Sequence, residues 1–478
     1  MTRTNLNYYK AGVLSLMIAL ISGACQPAKQ KNKELQKPNV IVMLLDDAGY
    51  ADFGFAGCKD LDTPNIDQLA TNGIRFSDAH VTASVCGPSR AGLMVGKYQQ
   101  RFGFECNPPK HYSGINLNEK TIADAMKEAG YKTAAFGKWH LGEGPEYRPN
   151  RRGFDYFWGF LTGGRSYFPN KKQDKEGTAH SIRENDKFTT FEGYLTDRLG
   201  EKAAEFIGEH KDQPFFIYWA PNAVHTPMEA KEEDMVLYEG HERQTLAAMT
   251  WSLDKAVGTI VNKLKSENLL DNTLIFFLSD NGGAHNNQSS NLPLKGFKGN
   301  KFEGGHRVPF FVHWPASLEG GQVYDGLTSS LDIFASCVDV AGMPVDESLD
   351  GVSLIPYLKG EKQGEPHTEL FWRKDKMAAI RSGDHKVIRV SELGYRMYNL
   401  KDNLQETNDL VDVDKETFTR LNDELKAWET TTMEPLWTEG EVWDEVTRLI
   451  HEDLFMNREV QVKNPGQLAK SRSFSEEK

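Results

Sequence analysis

The amino-acid sequence predicts an α/β sandwich around a large, mainly parallel sheet, followed by a smaller α+β subdomain. Two observations predict this fold. First, short and nearly continuous apolar runs alternate with helical stretches between residues 38 and 365. Such runs are typical of strands that helices cover on both faces. Second, the pattern after residue 365 changes to closely spaced short strands and one helix, which indicates a separate α+β unit.

The elements of the first region follow from its residue pattern. Its predicted strands are runs of aliphatic and aromatic residues, namely Asn39–Leu45, Lys132–Phe136, Pro214–Ala220, Thr273–Leu278 and Val308–Trp314. The stretches predicted as helices lie between them, namely Asn65–Asn72, Thr121–Ala129, Tyr194–Glu209 and Gln244–Glu267. Polar motifs follow several of these strands. Ligands in such folds gather beyond the carboxyl ends of the strands, so this edge is the predicted site.

The second region begins near residue 366 and is predicted to end at residue 462. Its predicted strands are Glu369–Arg373, Met377–Arg381, His385–Val390 and Arg396–Leu400, and Lys415–Glu429 is its predicted helix. The tail from 463 to 478 is charged and rich in serine, and this composition predicts disorder. The sequence therefore predicts a main domain over 38–365, a subdomain over 366–462 and a disordered tail.

The N-terminus has the pattern of an export signal over residues 1–24. Arg3 and Lys10 precede the uncharged stretch Ala11–Ala24, which is too short to span a membrane comfortably as a mature helix. Cleavage before Cys25 would give a lipoprotein anchored through that residue, and cleavage after Ala24 would give a free protein. A single-span anchor is the third interpretation. A flexible linker is predicted over 25–37, and the expected location is the periplasm or the outer membrane.

Charge and cysteine content exclude some classes of protein. The net charge of −12 disfavours a nucleic-acid partner, which needs a basic surface, but a local basic pocket can still bind an anionic substrate. Only five cysteines occur in 478 residues. This number indicates no dense disulfide framework, and any pairing stays open.

Two polar motifs predict a metal site. Asp46 and Asp47 end the first strand, and Asp280 and Asn281 follow the strand Thr273–Leu278. Adjacent carboxylates at a strand end repel each other unless a cation holds them. These residues supply only oxygen ligands, which favour a hard cation, Ca²⁺ first and Mg²⁺ second, over zinc.

The segment Cys86-Gly87-Pro88-Ser89-Arg90, with Leu93 and Gly96 after it, resembles the signature of the formylglycine-dependent sulfatases. In that family a maturing enzyme oxidises the cysteine to formylglycine. The resemblance implies that Cys86 is the precursor of the nucleophile and also a metal ligand. It further implies an alkaline-phosphatase-like sandwich and, as a partner, a formylglycine-generating or an anaerobic sulfatase-maturing enzyme.

The chemistry of a hydrated aldehyde fits this role. One of its two hydroxyls attacks sulfur and takes the sulfuryl group, while the other loses its proton so that the carbonyl re-forms and sulfate leaves. A plain serine ester has no such exit and would need water to attack a hindered, anionic centre. The aldehyde hydrate is therefore a nucleophile with a built-in release step.

Other segments resemble the family's active-site motifs. In Gly137–Gly142, the resemblance implies that Lys138 contacts the sulfuryl oxygens and that His140 deprotonates the second hydroxyl. It implies that His225 protonates the leaving oxygen and that Lys298 is a second cationic contact. Arg90 would hold the formylglycine oxygen and offset negative charge. The resulting set of cations, histidines and metal would stabilise a highly charged transition state.

Further polar residues near these motifs are assigned by residue type alone. Glu303 and Arg307 are expected to organise structure rather than to contact the substrate. Five residues are candidates for lining the substrate site, and the sequence equally allows each to be a surface polar residue: His111, Arg165, His180, His285 and His306.

The leading functional hypothesis is an exported sulfatase that hydrolyses sulfate esters on a polysaccharide or oligosaccharide. The alternative is a phosphonate or phosphodiester hydrolase of the same superfamily, since some of these share the signature, and the anion released distinguishes the two. A third hypothesis is a glycan-binding lipoprotein on an inactive scaffold. That hypothesis predicts losses among the motif residues, and the sequence has none.

Overall fold

The computed structural model describes residues 37–109 and 114–476. The predicted signal, almost all of the predicted linker, and Cys25 therefore lie outside the described residues, as does His111. Within the described residues, no helix combines the length and the apolar character that crossing a membrane requires. The four described cysteines, Cys58, Cys86, Cys106 and Cys337, are free thiols.

The strands of the described residues are numbered in chain order. They are β1 (Asn39–Leu45), β2 (Ile74–Phe76), β3 (Ala79–His80), β4 (Lys132–Lys138), β5 (Tyr156–Phe160), β6 (Arg183–Glu184), β7 (Lys187–Phe188), β8 (Phe215–Ala220), β9 (Thr273–Ser279), β10 (Phe310–His313), β11 (Gln322–Tyr324), β12 (Thr328–Ser329), β13 (Glu369–Lys374), β14 (Met377–Ser382), β15 (His385–Val390) and β16 (Gly394–Asn399).

The α-helices of the same residues are also numbered in chain order. They are α1 (Pro64–Thr71), α2 (Cys86–Val95), α3 (Ile122–Glu128), α4 (Leu195–Glu209), α5 (Glu232–Leu237), α6 (Gln244–Ser266), α7 (Glu303–His306), α8 (Asp332–Val340), α9 (Ile355–Leu358), α10 (Lys415–Glu429), α11 (Glu441–Phe455) and α12 (Pro465–Glu476).

The main sheet has ten strands in the order β11-β2-β10-β9-β1-β8-β4-β5-β6-β7. Its central strands, from β9 to β5, are all parallel, which confirms the predicted mainly parallel sheet. The predicted strand that became β10 is antiparallel to β9. The segment 280–309 lies at the carboxyl edge of the sheet. The strand that follows it, β10, therefore begins at that edge and runs in the opposite direction to β9. This edge therefore collects the ends of β1, β4, β8 and β9.

Apolar layers cover both faces of the sheet, as the continuous apolar strands predict. In β1, Val40, Val42 and Leu44 face one core, which includes residues of α2, α3 and α8. Ile41 and Met43 face the other core, which includes residues of α1, α4 and α6. The alternation of strand side chains thus anchors β1 in the middle of the sandwich.

The C-terminal part contains a four-stranded antiparallel sheet in the order β13-β14-β15-β16. One face packs against α10, where Leu421 and Leu425 are buried, and the other packs against α11. This arrangement confirms the predicted α+β character. The sequence predicts a disordered tail from 463, but the structure has α12 there, because Leu468 packs into the same core as α11. The division between residues 365 and 366 stays a prediction.

A buried ionic cluster joins the main sheet to the C-terminal sheet. The Lys386 amine in β15 lies 2.9 Å from a carboxylate oxygen of Glu303 in α7 and 2.9 Å from one of Glu406. The side chains of all three residues are fully buried. In the same cluster Arg381 pairs with Asp78, so carboxylates and cations alternate. Glu303 thus has the structural role that the sequence analysis expected.

Replacing Lys386 with methionine is expected to destabilise the protein strongly. The change leaves two buried carboxylates without their shared cation, and breaking a buried pair on one side costs about 3–5 kcal/mol. Arg420→Met is the matched control, because Arg420 pairs with Glu424 on an exposed helix surface and its loss costs less than about 1 kcal/mol. Urea unfolding of both variants measures the difference, and equal midpoints for the two would contradict this role for Lys386.

His451 in α11 is expected to make stability fall at acid pH. Its Nδ1 donates to the Thr447 carbonyl at 2.7 Å, and its Nε2 accepts from the Lys301 backbone N–H at 3.2 Å. Burial lowers the pKa of His451 from 6.5 to about 3, so between these pH values the unfolded chain binds the extra proton. Stability is therefore constant above pH 6.5 on this account and falls as the pH drops below it.

The change His451→Leu isolates this contribution. The variant is less stable overall, since it loses two hydrogen bonds. Its unfolding free energy should nevertheless fall less steeply with decreasing pH than that of the wild type. Between pH 6 and 4.5 the two slopes should differ by about 1.4 kcal/mol per pH unit. Urea unfolding at several pH values gives both slopes. Parallel slopes would contradict a neutral His451 in the folded state.

Candidate functional site

Five predicted site residues lie where neighbouring parallel strands end. Asp46 and Asp47 follow β1, Lys138 is the last residue of β4, and Asp280 and Asn281 follow β9. All five are buried. The sheet order places β9, β1, β8 and β4 side by side, so these ends meet at one edge. The site is therefore a product of strand order, as the sequence predicted from the polar motifs.

Asp46 is held between two cations. The Lys138 amine lies 2.9 and 2.8 Å from its two carboxylate oxygens, and the Arg90 guanidinium lies 3.7 Å away. Burial raises the pKa of Asp46, but Lys138 and the other nearby cations outweigh burial, so the pKa lies below its ordinary value. Asp46 is therefore ionised across the physiological range.

Asp47 makes the corresponding contacts on the other side. The Lys298 amine lies 2.7 Å from one carboxylate oxygen, and the Asn281 amide donates to that oxygen at 2.8 Å. The His225 Nε2 is 3.7 Å from the second oxygen. The backbone of Asp47 has a positive φ of 62°, which turns the chain sharply after β1. That turn directs the two neighbouring carboxylates to different cations.

Arg90 fixes the third carboxylate. Its Nε donates to Asp280 at 2.7 Å, and its Nη1 donates to the Lys138 carbonyl at 3.1 Å. Burial raises the pKa of Asp280 to about 6, and Asp46 adds to this effect although Arg90 opposes it. Three buried carboxylates thus face three cations, which is an arrangement with strong local fields.

Cys86 is the first residue of α2 and lies against these carboxylates. Ligand atoms of Cys86, Asp46, Asp47 and His225 all lie within 4.8 Å of one another. The residue is only 2% exposed. Burial raises the pKa of its thiol, and Lys138 and Lys298 oppose the shift only in part. An unmodified Cys86 is therefore a poor nucleophile, because the thiolate is the reactive form.

The residues present fit a divalent cation. The Asn281 Oδ1 is buried and has no hydrogen-bond partner among the described residues, so a strong acceptor is left for a ligand. It lies on the residue whose amide nitrogen contacts Asp47, beside the buried carboxylates of Asp46 and Asp280. Carboxylate and amide oxygens are typical ligands of hard cations.

The two predicted histidines pack against consecutive glycines, His140 against Gly163 and His225 against Gly164. His140 has a φ of 59°, and burial, with Lys138 and Arg90 nearby, holds its pKa well below the ordinary value. Its Nδ1 has no hydrogen-bond partner among the described residues. Gly163 packs on the ring so closely that a Cβ there would lie 2.8 Å from it. The imidazole is thus neutral and fixed in place.

His225 follows β8 and has a defined tautomer. Its Nδ1 lies 2.6 Å from the Thr226 carbonyl, which cannot donate, so Nδ1 carries the proton and Nε2 points to Asp47. Burial lowers the pKa of His225, whereas Asp46 and Asp47 oppose the shift.

Sequence reasoning missed two residues that shape the site. The Asn287 amide donates to the Asp47 carbonyl at 3.1 Å and to the Val224 carbonyl at 3.0 Å, so it joins the ends of β1 and β8. The Tyr167 hydroxyl donates to the His225 carbonyl at 2.8 Å. The cluster of asparagine and serine residues after Asp280 is the one sequence signal for Asn287. No comparable motif marks Tyr167.

Two open cavities meet at this site. The first, of about 430 Å³, is lined by Asp47, His225 and Lys298, and the second, of about 950 Å³, is lined by His140. Pro109 lines both, so the two cavities adjoin at that residue, and we refer to them together as the cleft. We call the first cavity the Lys298 side and the second the His140 side.

The lining candidates from the sequence are only partly placed in this cleft. His285 lines the Lys298 side and His180 lines the His140 side. Arg165 is instead buried in an ion pair with Asp174, and His306 is buried beside Lys386 in the ionic cluster. Residue type alone could not separate these cases, because all of them follow glycine-rich or polar segments.

Comparisons with known proteins agree with the site. The family model described as Sulfatase matches residues 38–343, and the model described as N-sulphoglucosamine sulphohydrolase, C-terminal, matches residues 298–431. N-acetylgalactosamine-6-sulfatase of Mus musculus is 33% identical over 403 residues, which are 78% of this chain and 74% of that protein. The uncharacterized sulfatase YdeN of Escherichia coli K12 is 33% identical over 397 residues, 70% of this chain and 68% of that protein.

Among solved structures, Ps i-CgsB has a TM-score of 0.81 and 36% sequence identity, and the match covers 88% of this chain and 99% of that chain. A second structure with the same values is Ps i-CgsB in complex with k-i-k-neocarrahexaose. A match over this length confirms the alkaline-phosphatase-like sandwich expected from the sequence.

Proposed function

Since this chain belongs to the sulfatase family, we propose that it hydrolyses sulfate esters on a sulfated polysaccharide or oligosaccharide and releases inorganic sulfate. The observation that carries the proposal is the cluster around Cys86. Three carboxylates, an amide oxygen without a partner among the described residues, three cations and two histidines lie there beside two open cavities. A sulfate ester is a tetrahedral anion, and this cluster supplies the charges and proton-transfer groups that its hydrolysis needs.

Cys86, once oxidised to formylglycine, is the proposed nucleophile. The aldehyde hydrate supplies a hydroxyl for attack at sulfur and a second hydroxyl for release of sulfate. Arg90 lies one helical turn after Cys86 on α2 and is fixed by Asp280, so it offsets negative charge beside the reacting group. Lys138 pairs with Asp46 and Lys298 pairs with Asp47, and the two amines balance the charge of the sulfuryl oxygens.

The histidines move the protons in this proposal. His140 is neutral at physiological pH and has a free Nδ1 among the described residues, so it can accept a proton from the second hydroxyl. His225 holds its Nδ1 proton on the Thr226 carbonyl, so it protonates the leaving oxygen from its imidazolium form, in which Nε2 carries a second proton. A ring nitrogen of His225 lies within 4.8 Å of the Cys86 sulfur, and both rings are held in place, so little reorientation is needed before proton transfer.

Calcium is the proposed metal, with magnesium as the second choice. Asp46, Asp47, Asp280 and Asn281 would hold it, with the modified Cys86 as a further ligand. Such a cation would supply polarisation of the sulfate group, which would lower the cost of adding negative charge. Oxygen-only ligands from this many residues favour calcium, which takes six to eight such ligands with flexible geometry.

Maturation and export complete the proposal. The thiol of Cys86 is 2% exposed, so the enzyme that oxidises it must act before the chain has closed around α2. A formylglycine-generating enzyme or an anaerobic sulfatase-maturing enzyme would supply the oxidising chemistry. Export to the periplasm or the outer membrane, with a lipid on Cys25 as the anchor, follows from the N-terminal sequence and stays a proposal.

A glycan substrate is supported by the cleft and by the relatives. The first cavity is lined by His225 and Lys298 and the second by His140, so both leave room for sugar units beside the scissile ester. Ps i-CgsB has been solved with k-i-k-neocarrahexaose, and the mouse relative is named for action on N-acetylgalactosamine 6-sulfate. These names support a sulfated sugar as the substrate class.

Ion chromatography of the released anion tests the proposal. Protein in which mass spectrometry detects formylglycine at position 86 is incubated with sulfated galactans, glycosaminoglycan oligosaccharides and phosphate or phosphonate esters. Sulfate released from one glycan class is the expected result. Phosphate or phosphonate as the only anion released would overturn the proposal in favour of the alternative hydrolase.

A further inference from the structure

We infer that the Lys298 side of the cleft contains a second glycan subsite, in which Trp443 stacks on a neighbouring sugar ring and Lys463 binds an anionic group on it. This inference rests on the proposed function and names residues that recognise the substrate beyond the scissile ester. The subsite is built by the C-terminal part of the chain, since Trp443 lies in α11 and Lys463 lies just before α12.

The position of these residues connects them to the nucleophile. The cavity that Asp47, His225 and Lys298 line at one end is also lined by Trp443 and Lys463. Its volume of about 430 Å³ accommodates sugar units rather than a sulfate group alone. A glycan whose sulfate ester lies at Cys86 therefore meets α11 when its next unit extends into this cavity.

Trp443 has the exposure of a binding residue. It is 42% exposed although it lines a cavity, and most other tryptophans of the described chain, such as Trp437 and Trp372, are buried. Its indole has no hydrogen-bond or ring partner among the described residues. A large aromatic surface left open beside an active site offers an apolar face to a ligand, and the C–H face of a pyranose ring is apolar.

Lys463 is the lysine of this cavity that can bind an anionic ligand. The two other lysines of the cavity are occupied, because Lys374 pairs with Glu439 at 2.6 Å and Lys298 pairs with Asp47 at 2.7 Å. Lys463 is half-buried and has no ion pair with any described residue. An anion in the cavity is therefore its natural partner.

His285 extends the same recognition surface. Its ring packs against Phe297 at 5.3 Å between centroids, which fixes it at the wall of the cavity. Burial lowers the pKa of His285, and Lys463 and Lys298 lower it further, so the neutral ring lies between the two lysines. A sugar hydroxyl or an anionic oxygen can hydrogen-bond to this ring. Because the ring is neutral, it adds no further positive charge to the cavity.

The chemistry selects a class of substrate. An aromatic platform and a free ammonium, on the cavity that leads from the nucleophile, suit a glycan with an anionic group on the unit next to the hydrolysed ester. That group is a second sulfate ester or a uronate carboxylate, since both are anionic oxygens. The net charge of −12 means that the rest of the surface repels an anionic polymer. Binding of such a glycan therefore depends more strongly on the local positive charge of Lys463.

Kinetics with matched substrates test the inference. Formylglycine-containing Trp443→Ala and Lys463→Ala proteins are compared on a sulfated monosaccharide and on oligosaccharides of the same sugar, with the neighbouring unit neutral, sulfated or replaced by a uronate. For each protein, kcat/KM on the oligosaccharide is divided by kcat/KM on the monosaccharide. The expected result is a fall of about tenfold in this ratio, mostly because KM for the oligosaccharide rises. Lys463→Ala should lower the ratio only where the neighbouring unit is anionic, and the sulfate and uronate arms identify the group.

Two control variants lie outside the cavity lining. Val442→Ala changes the exposed neighbour of Trp443 on α11, and Lys401→Ala removes an exposed lysine elsewhere in the C-terminal part. Both should keep the wild-type ratio. An unchanged ratio for Trp443→Ala and Lys463→Ala on every oligosaccharide would overturn the subsite.

A binding measurement separates this inference from the proposed function. Cys86→Ala protein, which cannot turn over, is titrated with the anionic oligosaccharide by calorimetry, with and without Trp443→Ala. The expected result is at least about tenfold weaker binding in the double variant. Equal affinity would overturn the subsite even if the wild type releases sulfate. Absence of sulfate release by the wild type, by contrast, tests the proposed function alone.

Discussion

Replacing Cys86 with alanine is expected to abolish sulfate release while the protein stays folded. The change removes the only carbon that can become the aldehyde, so neither attack at sulfur nor the release step remains. Loss of a nucleophile of this kind lowers kcat by at least about 10⁴-fold. The structural cost is small, because a methyl group replaces a thiol in a buried position at the start of α2.

Cys337→Ala is the matched control for this experiment. Cys337 is equally buried, lies on the core face of α8 and is also a free thiol, so the same substitution there leaves a similar cavity. The control should lose some stability and keep its rate per folded molecule. Circular dichroism and ion chromatography of released sulfate measure both quantities. A Cys86→Ala protein with near-normal turnover would contradict the mechanism.

Removing the metal is expected to lower activity and thermal stability together. The proposed cation would bind only where β1 and β9 bring Asp46, Asp47 and Asp280 into one place, so it would stabilise the folded chain. At a free concentration 100 times its Kd, a bound ion adds about 2.7 kcal/mol. Chelation should therefore lower Tm by several degrees and reduce sulfate release, and added calcium should restore both.

Asn281→Ala tests whether the effect belongs to this site. The variant lacks the Oδ1 that has no partner among the described residues, so its difference in Tm between calcium and chelator should shrink. Asn150→Ala is the control, because Asn150 hydrogen-bonds the chain just before β5, away from the metal residues. Equal Tm values with calcium and with chelator in the wild type would contradict a metal in this cluster.

Elements with a strong residue pattern could be predicted from the sequence. The bounds of β1, β15 and α10 are those expected, because continuous apolar runs and amphipathic helices leave little choice. The short strands β6, β7 and β11 were not predicted. Each is two or three residues long, and pairing with a neighbour rather than its own sequence makes it a strand.

The C-terminal helices show where local pattern is insufficient. The helix α11 carries many charges, and its buried residues, such as Val446 and Ile450, become apparent only once the four-stranded sheet is there to cover them. Polar composition suggested disorder for the residues of α12, yet Leu468 packs into the same core. In both cases tertiary packing decides the structure.

The candidate site could be located from motifs, but its surroundings could not. The motif residues, among them Asp46, Cys86 and Lys298, lie together as expected. They belong to strand ends, a helix start and loops at the same edge of the sheet. The walls of the cleft come from distant segments, and Trp443 reaches the cavity only through the packing of α11. Their roles in recognition therefore needed the structure, and the roles of the motif residues stay proposals.

The most direct test of the central claim relates activity to the state of residue 86. Preparations made with different amounts of maturing enzyme are analysed by mass spectrometry for the fraction of chains with formylglycine at position 86. The initial rate of sulfate release from the best glycan substrate is then measured for each. The account predicts a straight line through the origin. A finite rate in protein that contains only unmodified Cys86 would contradict it.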